Sequence, residues 1–265
     1  MLFCGQMFAK GGKCGDNLKW DIKSGVLTIS GTGPMKNFDP DSKKNQPPWY
    51  SRRFEIWSVV IEEGVTSIGT WAFISCDGLT SIELPGSIVD IEYNAFIWCK
   101  RLEEVKLGKR VQSIGKSAFS GCKSLKSIVI PDRVTSIGEF AFFECESMTS
   151  ITIGNHVKTI GKNAFSGCKS LTSITIPDSV KEIGSGAFFE CASLTSVIIG
   201  DGLTTIGRDI FTSCRNITYL SIGKGVTKVE YEAFKHCKNL QTVRYPRGLD
   251  LKWAKIPETT SLIAY

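Results

Sequence analysis

The chain has 265 residues, of which 42% are hydrophobic and 22% charged, enough for one or two globular domains or one repeat array with a buried core. Its 32 basic and 26 acidic residues leave a formal charge of +6, spread along the length with no run of five or six like charges, so nucleic acid is not expected as a partner. No apolar run approaches the roughly 18 residues of a membrane span, so no membrane insertion is expected, and the opening MLFCGQMF does not read as a signal peptide because it lacks a basic n-region and is broken by Gly5 and Gln6.

In chain order, CGDNLKWDIKSGVLTISGTG (14–33) predicts a hairpin: LKWDI, a KSG turn, then VLTIS. The polar segment MKNFDPDSKKNQPPWYSRR that follows reads as a loop anchored by Trp49 and Tyr50. A strand pattern opens at Ile56, Val59 and Ile61, and from there the chain repeats itself. Cysteines stand at 76, 99, 122, 145, 168, 191, 214 and 237, every 23 residues, each with a phenylalanine three positions before it and an apolar residue three positions after. A fixed period in this range with an L-x-x-I-x-I core is the mark of a leucine-rich-repeat solenoid.

Within one repeat, LTSITI (171–176) alternates as a strand that buries Ile174 and Ile176. Pro or Gly then turns the chain, and a second short apolar pair follows, such as Val180 and Ile183. The A-F-x-x-C segment has room for one helical or 3₁₀ turn only. The expected fold is therefore a β-rich right-handed superhelix with one strand, a second short strand and one short helical turn per repeat. Pro and Gly alternate after the strand from Pro85 to Gly200, and SGCKSL recurs 46 residues apart, as though a two-repeat block had been duplicated; the alternation lapses at Gly223. The expected domains are an N-terminal cap (1–53), the solenoid (54–246, about eight repeats) and an irregular C-terminal cap (247–265), since PRGLDLKWAKIPETTSLIAY has no A-F-x-x-C.

The cysteine ladder is expected to be reduced and buried: equivalent positions on stacked coils point their Cβ atoms in parallel, and a disulfide needs them aimed at one another. Cys4 and Cys14 lie outside the ladder, free to pair or not. No C-x-x-C occurs, and His156 and His236 are 80 residues apart, so neither a metal site nor a cofactor is expected. No hydrolase, phosphate-loop or dinucleotide motif appears, and the chain is expected not to be an enzyme.

Two outward rows remain. One runs through Ser58, Ser81, Glu104, Ser127, Ser150, Ser173, Ser196, Tyr219 and Thr242; the other through Val60, Glu83, Lys106, Val129, Thr152, Thr175, Ile198, Ser221 and Arg244. Together they predict a flat, hydroxyl-rich face of the kind solenoids offer to protein partners. The plainer alternative is that Ser and Thr simply suit a solvated sheet and pair across strands.

The cap CGDNLKW…GVLTISGTG…PPWY followed by VTSIGTWAFISCDGLTSIELP resembles the BspA-like, or Treponema pallidum-type, leucine-rich-repeat proteins, over residues 12–246. That resemblance implies a bacterial cell-surface or secreted, non-catalytic protein that adheres to host matrix proteins, host cells or other microbes. The alternative is an intracellular scaffold with no adhesive role, in keeping with the thiol ladder and the lack of a visible signal or anchor.

Overall fold

The computed structural model describes residues 10–265 except Trp253. Three strands open the chain: β1 (Lys10–Lys13), β2 (Leu18–Lys23) and β3 (Val26–Gly31). The hairpin expected from the sequence is β2–β3, with Lys23 opposite Val26. Its two-residue turn holds Ser24 at φ 47° and Gly25 at φ 77°, the left-handed pair that matches the twist of a tight hairpin. Strand β1, which the sequence did not announce, pairs antiparallel with β2. After β4 (Gly33–Pro34) and the loop comes β5 (Ser58–Ile61), laid parallel on β3, so the hairpin is in effect the first rung of the solenoid.

Each coil then supplies two strands. They are β6 (Val65–Ile68), β7 and β8 (Ser81–Glu83, Asp90–Ile91), β9 and β10 (Glu104–Lys106, Ser113–Ile114), and β11 and β12 (Ser127–Val129, Ser136–Ile137). Next come β13 and β14 (Ser150–Thr152, Thr159–Ile160), β15 and β16 (Ser173–Ile176, Glu182–Ile183), and β17 and β18 (Ser196–Ile199, Thr205–Ile206). The chain ends with β19 and β20 (Tyr219–Ser221, Lys228–Val229), β21 (Thr242–Tyr245) and β22 (Ser261–Ala264). Register is set by the repeat itself: Ser127 faces Ser150, and Ser173 faces Ser196, each 23 positions on.

The A-F-x-x-C segment differs from the helical turn the sequence suggested. Within it, alternate amides bond three residues back, as Ala95 to Glu92, Ile97 to Asn94 and Cys99 to Phe96 at 3.2–3.3 Å. The amides between them cross to the next coil, as Asn94 to Lys116, Phe96 to Ala118 and Trp98 to Ser120 at 2.7–2.9 Å. A helix needs every amide turned along its own axis, so diverting every second one leaves a string of separate turns. Asn94 and Trp98 accordingly sit at φ 56° and 60°. Among the described residues the one helix is the 3₁₀ turn Tyr50–Arg52 in the cap loop.

Inside the coils the phenylalanines stack nearly parallel, with centroids 5.0–5.6 Å apart from Phe73 to Phe234. Trp49 extends the column at its front, stacked on Phe73 at 5.8 Å, with its Nε1 donating to the Ala72 carbonyl at 2.7 Å. Beside the column each Cys thiol donates to the carbonyl of the phenylalanine 26 positions before it, from Cys99 on Phe73 (2.9 Å) to Cys237 on Phe211 (3.2 Å). All nine described cysteines are buried and free, Cys14 included. Cys4, its possible partner, lies outside the described residues.

The Pro/Gly alternation has a steric reason. A Cβ on Gly154 would lie 2.6 Å from the Pro131 carbonyl oxygen, and one on Gly108 would be closer still to that of Pro85. Glycine lets the following coil settle there, and the bonds Leu84 N to Lys106 O (2.9 Å) and Ile130 N to Thr152 O (2.8 Å) form. At the next junction in each case, the amides of Leu107 and Ile153 make no such bond, and β13 is not laddered to β15. From β15 onward the strand-face pairing is continuous through β17 and β19, and Ile222 N bonds to Arg244 O at 2.8 Å.

The C-terminal segment is more regular than expected. Ala254 receives the Phe234 amide in the place where the repeats put an alanine, and β22 adds a parallel rung to β21.

Burial raises the thiol pKa at Cys99, Cys122, Cys145, Cys168, Cys191 and Cys237, and Cys168 is pushed up to about 12 from the ordinary thiol value. A group raised in the folded state keeps its full stabilising effect below pH 9 and loses it as the pH climbs toward the folded value. In that window the unfolded chain releases a proton that the native one retains, at about 1.4 kcal/mol per pH unit per thiol. Thermal melts between pH 8.5 and 10.5 should show a falling midpoint, and Cys168→Ala should make the fall shallower; an unchanged slope would contradict the account.

Candidate binding face

Period-two alternation in β7 to β21 turns one side of each strand into the core and the other outward. The outward rows are those the sequence predicted. Ser81, Glu83, Glu104, Lys106, Ser127, Val129, Ser150, Thr152, Ser173, Thr175, Ile198 and Arg244 are exposed, Val129 by 64%. Ser196, Tyr219, Ser221 and Thr242 are half-buried, so the open part of the face is its front two thirds. At the rear, Arg244 lies over the Tyr265 ring, 5.6 Å from its centroid, and Tyr265 comes from the segment the sequence left irregular.

The rows also run further than the repeats. Val26 pairs with Ser58 and Thr28 with Val60 on the cap hairpin, while Ser261 and Ile263 continue them beyond Thr242 and Arg244. No repeat motif marks these residues; in the cap the signal was the alternation in VLTIS, which has the same period as the repeat strands, while SLIA carries no such alternation.

Hydroxyl groups on this side of the molecule fall into two sets. Thr149, Thr172, Thr195 and Thr218, just before the strands, donate to the carbonyls of Lys126, Thr149, Thr172 and Thr195 at 3.0–3.2 Å, forming a closed side-chain ladder. The face hydroxyls of Ser127, Ser150, Thr152, Ser173 and Thr175 have no partner among the described residues. The cross-strand pairing that would make them merely structural is therefore absent.

An open cleft of about 840 Å³ lies along β9, β11 and β13 and the turns that follow them, lined by Val129 together with Lys106, Lys109, Arg133, Glu104 and Thr152. Lys106 stands 3.6 Å from Glu104 and 4.0 Å from Glu83, all three exposed, so these pairs contribute little and leave the charges open to a partner.

Other candidate groups stay apart. Trp57 donates to the Ser24 carbonyl, Trp71 packs edge-on to Tyr93, and Trp98 covers Gly121, so the three do not make one aromatic patch. His156 and His236 are both exposed. Among the described residues no group of three His, Cys, Asp or Glu could hold a metal ion, and no helix is long and apolar enough to cross a membrane.

The geometry is that of a leucine-rich-repeat solenoid. The chain belongs to the family described as BspA type leucine rich repeat region, matched over residues 49–172 and 135–252 in six copies. Among solved structures it is similar to the leucine-rich-repeat protein of T. pallidum, at 24% identity over 92% of this chain and 97% of that one, with a TM-score of 0.48. It is also similar to leucine-rich-repeat proteins from Eubacterium ventriosum (21% identity, 97% and 93% covered, TM-score 0.40) and Bacteroides ovatus (18%, 94% and 98%, 0.46). No curated protein matches it.

The two hydroxyl sets should respond differently to loss of the oxygen. Thr172→Val removes a ladder bond and should cost roughly 0.5–1.5 kcal/mol, while Thr175→Val should stay within about 0.5 kcal/mol of the parent, read from urea midpoints. Equal costs would mean that the face hydroxyls do hold the sheet together.

Proposed function

We propose that this chain is a non-catalytic binding protein, displayed at the cell surface or secreted, that holds a protein partner against the face formed by β7 to β15. The observation that carries the reading is the set of exposed hydroxyls on the strand face, without a protein partner while the neighbouring threonines each donate to the preceding coil. A partner strand or loop laid across Ser150, Thr152, Ser173 and Thr175 would find donors and acceptors at fixed spacing, an apolar foothold at Val129, and charges at the rim. That is the arrangement of a protein interface, with an apolar centre and a polar margin. Family membership supports a protein-binding repeat, and the adhesive role toward host matrix, host cells or other microbes extends it.

Surface plasmon resonance against a panel of purified extracellular-matrix proteins tests the reading. Saturable binding is expected, with Ser150→Glu, Thr152→Lys and Thr175→Glu each weakening it about tenfold or more, and with melting temperatures unchanged. Binding that survives all three substitutions would place the interface elsewhere. Protease treatment of intact source cells separates display from an internal scaffold: loss of the chain from living cells is expected, and protection until lysis would favour the scaffold.

A further inference from the structure

The short second strands form one ladder from β4 to β16, which then stops. At the three junctions before the stop, two further main-chain bonds join the coils. These are Thr135 N to Gln112 O with Gly138 N to Ile114 O, Lys158 N to Thr135 O with Gly161 N to Ile137 O, and Lys181 N to Lys158 O with Gly184 N to Ile160 O, all at 2.8–3.0 Å. The same pair returns beyond it, Thr227 N to Thr204 O and Glu230 N to Ile206 O, both at 2.9 Å. Between β16 and β18 neither bond is made. The amides of Thr204 and Gly207 and the carbonyls of Lys181 and Ile183 have no partner among the described residues.

Two buried sequence changes fall at the place: Leu203 stands where the neighbouring coils have Val180 and Val226, and the larger departure is Ile210. The residue before the ladder phenylalanine is alanine at 72, 95, 118, 141, 164, 187 and 233, and isoleucine at 210, all buried. Extra carbons in a packed layer must be accommodated by movement of what surrounds them. Ile210 Cδ1 lies 3.5 Å from where a Cβ on Gly207 would stand, and no atom of the preceding coil comes within 4 Å of that point. The equivalent Cβ on Gly184 would collide with the Lys162 backbone. A cleft of about 590 Å³ opens along this side of the coils, with Lys181, Ile183, Thr204 and Gly207 in its walls.

On the strand-face side the same junction is closed: Ser173 to Ile176 pair with Ser196 to Ile199, and β17 pairs onward with β19. We propose that Ile210 is a wedge that turns this junction into a hinge. The β15–β17–β19 ladder is the leaf that stays bonded, the β16–β18 side opens and closes, and the curvature of the strand face changes with it. From β6 to β16 the second strands are laddered at every described junction, including the one where β13 and β15 are not paired on the strand face, so the second-strand side parts at Ile210 and not before it.

Amide hydrogen exchange on the whole protein, resolved by residue, tests the wedge. Thr204 and Gly207 should exchange about tenfold or more faster than Lys181, Gly184, Thr227 and Glu230, and Ile210→Ala, which restores the residue of the other coils, should slow both to their neighbours' rates. Ala187→Ile should add fast exchange at Lys181 and Gly184 to that at Thr204 and Gly207. Equal protection in the parent protein, or fast exchange that persists in Ile210→Ala, would overturn the wedge. If Ile210→Ala fails to fold, the comparison within the parent chain and the Ala187→Ile result decide. For the hinge, spin labels on cysteines introduced at Gln112 and Lys228 should give a broad distance distribution that narrows in Ile210→Ala. Identical widths would overturn it.

Discussion

A coil of 23 residues cannot cover its own apolar edge, and everything in this molecule follows from the need to set the next coil directly upon it. The spacing is dictated from two sides. Main-chain ladders want neighbouring strands about 4.8 Å apart, while stacked rings prefer a slightly larger offset separation. The phenylalanine column, at 5.0–5.6 Å between centroids, meets both demands by tilting little and sliding slightly. Cysteine fits beside it because its sulfur is small enough to stack at the same rise and its proton satisfies a carbonyl of the preceding coil. With the thiol pKa raised by burial, the ladder is inert packing, and its chemistry is that of a core.

The same spacing explains where the array is uniform and where it is not. Glycine stands after the strand where a proline carbonyl of the previous coil comes close, and in the front coils the bond from Leu84 or Ile130 forms at that junction and not at the next. Ile210 breaks a different rule, on the opposite side of the coil, and the second sheet parts there while the first does not. A long regular array thus has its irregularities placed by single side chains. On the strand face the open hydroxyl rows lie in front of the Ile210 junction, with one gap in their ladder between β13 and β15.

Much of this was legible in the sequence because a repeat declares its register. The core positions, the reduced ladder, the hairpin at LKWDIKSGVLTIS and the outward rows all follow from periods of 23 and 2. What could not be read were features that depend on the neighbouring coil. The A-F-x-x-C segment looks like a helical turn in isolation, and only the demand of the next coil for every second amide prevents one. The chain end was expected to be irregular because it has no A-F-x-x-C, yet β21 offered SLIA an edge to pair with. Ser196, Tyr219, Ser221 and Thr242 alternate outward like the rest, and their partial burial is visible only in three dimensions.

If interchangeable coils carry the fold, a whole two-coil block should be removable. Deleting residues 120–165 joins Phe119 to Ser166 and keeps both A-F-S-G-C and the Pro/Gly alternation, whereas deleting 120–142 joins Phe119 to Phe143, leaves A-F-F-E-C and breaks the alternation. Urea denaturation of the two shortened chains beside the parent is the most direct test. The account predicts that the 46-residue deletion folds and unfolds in a single cooperative step with a smaller m-value, and that the 23-residue deletion is the less stable of the two. A 46-residue deletion that fails to fold, or one no more stable than the 23-residue deletion, would contradict it.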